Sequence, residues 1–428
     1  MPFQAGFGEI DITPPAGTLK IGWIVKLSGN RIVDPLFARI AIFEAEEAAA
    51  VISLDTLSVR WTLVNELRRR ITAEYGFPGT RILVAATHNH AGPAIASLGE
   101  TMRDEGYVAV LKDKIVLAFG EALKRRQRAE LAFGHAFEWR IAHNRRVIMR
   151  DGTTRTHWTF NDPNALCLEG PVDPEVCLVA VRAADSQAPL GCLINYSCHP
   201  THLGGGNDFS GGYPGALAAC MKAQGWPVCL YLNGACGNVH DADPTQGGRG
   251  LDKDEIGRLL AADVAALLPQ LEYRADLAVG CRRQTLEVDF RKLTDKELRG
   301  TVRGAQRFVK PALYDEMMPA LVDKMRKEGR QKVELQALLL GDHVIAAIPG
   351  EYFVEFGLRI KEKVWPQRAL IASCANGMVG YLPTREAFSR GGYETTLYGG
   401  TRLAHNAGDQ ITAAMIRLIL AGCRTRPL

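Results

Sequence analysis

Short apolar runs rich in Val, Ile, Leu and Ala recur along the chain, at 36–43, 50–54, 81–86, 176–181, 190–196, 228–232, 333–340, 344–348 and 369–373. Their length and β-branched content predict strands. Between several of them the apolar spacing changes to three or four residues, as in Tyr107, Leu111, Ile115, Ala118 and Ala122, and again in Ile256, Leu259, Leu260, Val264 and Leu267. These predict helices, with Asp252 and Asp254 as capping candidates for the second. Such alternation predicts an α/β fold with mixed β-sheets flanked by helices. No Pro/Gly/Ser-rich linker divides the chain, so residues 1–428 are expected to form one large domain. The stretch from about 295 to 331 departs from this pattern. It carries many charges and a thin apolar stripe (Leu298, Val302, Phe308, Leu313, Met317, Leu321, Met325), which predicts a helical excursion on the surface. A lid over the active site is its functional alternative.

Composition narrows the function classes. The chain has 51 Lys and Arg against 47 Asp and Glu, a net charge of +4, with 47% hydrophobic and 23% charged residues. This is the profile of an ordinary globular protein. No run of 18 apolar residues is present, so no membrane span is expected. Residues 1–15 lack the basic and apolar regions of a secretory signal, which makes a cytoplasmic location the expectation. The ten Cys form no CxxC pair, and a disulfide framework is not expected. Basic clusters such as Arg68-Arg69-Arg70 are balanced elsewhere, so a nucleic-acid partner is not expected either. The expected partner is a small-molecule substrate, and a homo-oligomer is left open.

Five predicted strands run into loops dense in Gly and titratable residues. They are Thr87-His88-Asn89-His90-Ala91-Gly92-Pro93, Ser197-Cys198-His199-Pro200-Thr201-His202 with the following loop to Asp208, Asn233-Gly234-Ala235-Cys236-Gly237-Asn238-Val239-His240-Asp241, Pro349-Gly350-Glu351, and Asn376-Gly377-Met378-Val379-Gly380-Tyr381. Ligands of open α/β sheets sit beyond the carboxyl ends of strands, so these loops predict one crevice. Imidazoles joined by a carboxylate suit zinc, and in an extended segment His88 and His90 would point the same way. Of His199 and His202, one is expected to be functional and the other satisfied structurally. Taken alone, Glu351 reads as a carboxylate in the first turn of the helix marked by Tyr352, Phe353, Phe356 and Ile360, where it would offset the dipole. Cys198 and Cys236 read as small buried hydrophobes. Gly204 to Gly206 lack the lysine of a phosphate loop.

Read together, these loops resemble the catalytic domain of the neutral or alkaline non-lysosomal ceramidases, zinc amidohydrolases that split N-acyl sphingosine. The segment Gly6-Phe7-Gly8-Glu9-Ile10-Asp11-Ile12-Thr13-Pro14-Pro15 is similar to that family's opening, and Thr87-His88-Asn89-His90-Ala91-Gly92-Pro93 to its Thr-His-Thr-His-Ser-Gly-Pro. Asn144-Arg145, His199-Pro200, Pro349-Gly350-Glu351, Tyr381 followed by Thr384-Arg385-Glu386, and Tyr393 match further motifs in order, from residue 6 to about 395. The resemblance implies a zinc ion held by His88, His199, Glu351 and Tyr381, with His90 as general acid or base and Arg145 and Tyr393 polarising the scissile carbonyl.

Two departures qualify it. Where the family has Gly-Asp-Val-Ser, this chain has Gly237-Asn238-Val239-His240. An imidazole does not reproduce a compact hydroxyl, so His240 is expected to act as a second base or extra metal ligand oriented by Asp241, or to mark another substrate. The sequence ends at Leu428 without the family's immunoglobulin-like domain, and the export signal is not seen, so ceramide itself is not the expected substrate. The expected activity is zinc-dependent hydrolysis of the C–N bond of a small soluble N-acyl compound, with Asn144, Asp208 and Asp241 contacting substrate. The rivals are a zinc-dependent hydrolase or lyase acting on a carbohydrate or ester, and a non-catalytic metal-binding homologue. A long apolar groove favours the acyl compound, and a small polar pocket favours the first rival.

Overall fold

The computed structural model describes residues 2–423, and two β-sheets lie face to face at its centre. The larger has eight strands in the spatial order Cys229–Asn233, Pro189–Tyr196, Glu175–Ala183, Gln127–Phe137, Gln4–Asp11, Phe37–Glu44, Ala48–Leu54 and Ile82–Ala86. The smaller has four, in the order Val279–Asp289, Arg330–Leu340, His343–Ala347 and Arg368–Ala372. Side chains such as Phe7, Phe43, Leu230, Leu338, Ile345 and Leu370 fill the space between the two sheets. The helices Trp61–Tyr75 and Glu105–Lys124 cover one half of the larger sheet's other face, and Gly212–Ala223 and Lys253–Leu267 the other half. The helices Val354–Lys363 and Ala407–Cys423 back the smaller sheet, giving four layers. Each apolar run predicted as a strand is one. The mixed α/β architecture is the one expected from the alternating pattern.

Most neighbouring strands of the two sheets are antiparallel, but three of the four outermost pairs are parallel: Ala48–Leu54 with Ile82–Ala86, Pro189–Tyr196 with Cys229–Asn233, and His343–Ala347 with Arg368–Ala372. Each parallel pair is joined through a helix, because a parallel connection has to cross back over the sheet. These three crossovers aim their carboxyl ends at one place. The Asn233 carbonyl accepts from Ser373 N–H, and the Cys374 carbonyl accepts from Ala86 N–H, so the three pairs are tied together there.

Two expectations are refined. The helix predicted around Tyr352 begins at Val354, and Glu351 lies before it in the short strand Glu351–Tyr352. Glu351 therefore does not offset that helix's dipole. The charged excursion is helical at Asp295–Arg299 and Pro311–Glu328, and the second helix buries Leu313, Leu321 and Met325. Asp252 caps its helix as expected, accepting from Asp254 N–H at 2.8 Å. No helix among the described residues is long and apolar enough to cross a membrane.

Candidate metal centre and its cavity

A cavity of about 490 Å³ opens where the crossovers converge. His88 and His90 enter it from the end of Ile82–Ala86, His199 and Thr201 from Pro189–Tyr196, Glu351 from His343–Ala347, and Tyr381 from Arg368–Ala372. Glu351 and Tyr381 are register partners in a two-stranded parallel pair, which brings their side chains to the same side. His88 is not extended: its φ of 68° is a left-handed conformation unusual for a residue with a side chain. The period-two reason for pairing His88 with His90 therefore does not hold. The two rings still meet, perpendicular and 5.1 Å apart.

Hydrogen bonds set the direction of the imidazoles. His88 Nδ1 lies 2.8 Å from the Leu57 carbonyl, and His199 Nδ1 lies 3.1 Å from the Cys236 carbonyl. A carbonyl only accepts, so each Nδ1 carries the proton and each Nε2 presents a lone pair. These two lone pairs face each other at 3.0 Å, with Glu351 Oε2 at 3.5 Å from His88 Nε2 and 3.7 Å from His199 Nε2. Three acceptors cannot satisfy one another, but a cation satisfies all three. The circle through them has a radius of about 2.0 Å, the length of a zinc bond to nitrogen or carboxylate oxygen. The carbonyl partners on Nδ1 are the outer contacts that orient ligating histidines. His88, His90 and His199 also form a group able to hold a metal, with ligand atoms within 4.8 Å of one another. Neither of the buried ring nitrogens of His90 has a full hydrogen bond, although the Gly22 backbone biases its charge. Burial, and then neighbouring positive groups, hold His90 and His199 well below the ordinary imidazole range, so both are neutral.

Arg145 and Tyr393 complete the wall. Arg145 donates from Nε to Glu394 at 2.8 Å, and from its terminal nitrogen to the Gly237 carbonyl at 2.7 Å and the Tyr381 hydroxyl at 3.3 Å. Burial opposes its charge, but Tyr381 and Glu394 outweigh this and hold the guanidinium above its usual range. Glu394 also accepts from Arg146 and from the Thr156 hydroxyl, each at 2.6 Å. The Tyr393 and Tyr398 hydroxyls are 2.9 Å apart, and burial raises both phenols. Burial, and then the Glu351 carboxylate, raise the Tyr381 phenol as well.

His240 lies one layer behind the cavity. Its Nδ1 accepts from Ala242 N–H at 2.9 Å, so Nε2 carries the proton and donates to Thr201 Oγ1 at 2.6 Å. Thr201, not His240, lines the wall there. Asp241 lies beside His240 and His202, 3.0 Å from His240 Nδ1. His202, the other member of its pair, does not line the cavity; its Nε2 lies 3.0 Å from the Leu251 carbonyl, and its buried Nδ1 has no partner. The three expected substrate contacts do not reach the cavity, since each is engaged elsewhere. Asn144 donates to the Pro171 carbonyl and accepts from Arg146 N–H, Asp208 pairs with Arg31, and Asp241 lies against His202 and His240 behind the wall. Cys198 and Cys236 are fully buried with raised pKa values, caused first by that burial.

Thr201, Glu394, Arg60 and Arg402 were not singled out in the sequence. A hydroxyl two residues after His199 and an acid directly after Tyr393 were the available signals for the first two. Nothing local marks the arginines.

No family model matches the sequence, and no curated protein matches it. Among solved structures the chain is similar to neutral ceramidase from Pseudomonas aeruginosa, with a TM-score of 0.76 and 18% identity over 100% of this chain and 75% of that one. It is also similar to a ceramidase complexed with C2, with a TM-score of 0.75 and 17% identity over 100% of this chain and 76% of that one. The fold is thus that of the neutral ceramidases.

Proposed function

We propose that the protein is a zinc-dependent amidohydrolase that cleaves the C–N bond of a small N-acyl compound. The observation that carries this reading is the convergence of two proton-fixed imidazole lone pairs and one carboxylate on a point beside an otherwise unpartnered His90. His88, His199, Glu351 and Tyr381 would hold the ion. His90 is assigned to proton transfer rather than ligation, because Glu351 already completes the triangle with the Nε2 atoms of His88 and His199. When bound, zinc would supply a Lewis acid and a water whose pKa is lowered toward about 7.

The chain's own residues do the rest. His90, neutral at rest, accepts a proton at a ring nitrogen and returns it to the leaving amine, a role worth a factor of about 10² to 10⁴. Arg145 remains charged and is fixed by Glu394 and the Gly237 carbonyl, so it offers N–H groups to a developing oxyanion without reorganising. Tyr393 offers a phenolic O–H to the same oxygen. His240 orients the Thr201 hydroxyl, whose own proton is left free to meet a ligand.

Apolar wall residues such as Ile21, Ile24, Leu57, Trp61, Leu98 and Met317 support an acyl substrate over a hydroxyl-rich one. Placement of the four holders on the wall of an open cavity supports catalysis over a closed structural site. The test is metal analysis combined with assays on N-acyl amines and N-acyl amino acids. His88→Ala and Glu351→Ala should lose metal and turnover together, whereas His90→Ala should keep metal and lose turnover. Full metal retention by both of the first two variants overturns the assignment.

A further inference from the structure

The part of the cavity lined by Arg60 and Arg402 carries a charge that the hydrolytic machinery does not use. Both side chains line the wall, with Lys324 from the helix Pro311–Glu328 at its edge. Arg402 is only 4% exposed. It donates to the carbonyls of Val379 at 3.0 Å and Gly399 at 2.6 Å and to the Gln331 side chain at 2.9 Å, and its buried Nε has no partner. Arg60 donates to the Met378 carbonyl at 3.3 Å and the Ser97 carbonyl at 3.4 Å. The two guanidinium groups are thus tied to successive carbonyls, 378 and 379, immediately before Gly380 and Tyr381.

Among the described residues neither arginine forms an ion pair, although the other buried arginines, Arg39, Arg68, Arg145, Arg146 and Arg291, each have a carboxylate. The nearby acids are Glu328, 3.8 Å from Lys324, and Glu351, whose charge acts on Arg60 but is the proposed metal ligand. Three cations therefore face two carboxylates, one of them committed to the metal centre. Burial, and then repulsion from Arg60, push Arg402 down to about 10. Burying like charges side by side is costly unless an anion compensates them.

We infer that Arg60 and Arg402 form a subsite for a carboxylate carried by the substrate, which makes the N-acyl compound an N-acyl amino acid or a similar N-acyl acid. The planar forks of two guanidinium groups match a carboxylate, and both side chains line the cavity wall. The apolar wall takes the acyl chain, and the scissile amide lies at the histidines. The identity of that bond rests on the amidohydrolase reading; the anion subsite itself does not.

The test is calorimetric titration of the zinc-loaded full chain with N-octanoylglycine and with its uncharged counterpart N-octanoylglycinamide. The parent protein is expected to bind the carboxylate at least about tenfold more tightly than the carboxamide. That ratio should fall below about twofold in Arg402→Gln, and likewise in Arg60→Gln, which serves if the more deeply buried Arg402 variant fails to fold. Equal binding of the two compounds by the parent, failure to bind either, or a preference that survives substitution in a folded, zinc-containing variant overturns the subsite. Hydrolysis followed in the same samples separates the two readings. A protein that cleaves both compounds without charge preference keeps the amidohydrolase reading and loses the subsite, whereas one that keeps the affinity ratio and cleaves neither does the reverse.

Discussion

Replacing Glu394 by Gln keeps the shape of a fully buried side chain and removes one charge. In the parent, Arg145 and Arg146 face Glu394 and Glu169, two positive against two negative groups, all nearly inaccessible to water. The substitution leaves one positive charge uncompensated. Arg146 keeps Glu169, so the burden falls on Arg145, whose remaining partners are the Gly237 carbonyl and the Tyr381 hydroxyl. Breaking a buried pair from one side costs about 3 to 5 kcal/mol. For a chain of 428 residues the unfolding entropy is about 0.9 kcal/mol/K, so the melting temperature should fall by about 3 to 6 °C. Turnover should fall as well, because Arg145 loses its anchor while the metal remains.

The effect should also depend on pH. Burial raises the Glu394 carboxyl, but Arg146 and then Arg145 outweigh it and hold the pKa below the ordinary 4.5. As pH falls, the unfolded chain takes up this proton before the folded one. The stabilisation is therefore complete above pH 4.5 and is lost as pH drops through the depressed folded-state value, so the gap between parent and variant narrows there. Differential scanning calorimetry of parent and Glu394→Gln at neutral and acid pH measures both effects. A variant that melts within 1 °C of the parent at neutral pH, about the scale of a 1 kcal/mol change, and turns over normally would refute this account of Arg145.

Other perturbations probe separate parts of the site. Thr201→Val should leave the His240 Nε2 proton without its acceptor and lower kcat by about 10- to 100-fold, as one unmade buried hydrogen bond costs about 1 to 3 kcal/mol, while Thr201→Ser restores most of the rate and both keep their metal. Tyr393→Phe should reduce kcat by about 10² with a smaller change in KM, read by steady-state kinetics. Gly380 has φ 92°, and a Cβ there would lie 2.1 Å from the Gly400 carbonyl oxygen. Gly380→Ala should therefore displace Tyr381 and weaken metal affinity, measured by competition with a chelator.

The strands that the sequence shows most clearly are those buried on both faces, such as Ala48–Leu54 and His343–Ala347, because nothing polar interrupts them. Three strands of the two large sheets were not predicted, for distinct reasons. Gln4–Asp11 contains Gly6 and Gly8, needed because a Cβ at either would press on carbonyls of the helix Glu105–Lys124. Gln127–Phe137 mixes Ala, Leu and Glu in a spacing that does not mark a strand. Val279–Asp289 is the outer strand of its sheet and exposes Arg and Glu. The loops meeting at the cavity were legible, since Gly-rich titratable segments after apolar runs signal strand ends. Thr201, Arg60 and Arg402 were not, because their meaning lies in partners distant in sequence: His240, and the carbonyls of Met378 and Val379.

X-ray absorption spectroscopy of the zinc-loaded protein examines the proposed centre most directly. Ligation by His88, His199, Glu351 and Tyr381 predicts one zinc per chain, a single shell of nitrogen and oxygen at about 2.0 to 2.2 Å, and the outer-shell signature of two imidazoles. Cys374 Sγ sits 3.4 Å from His88 Nδ1, so a sulfur ligand in place of these donors would announce itself. A zinc–sulfur distance of about 2.3 Å, or a native chain that takes up no zinc, would contradict the account.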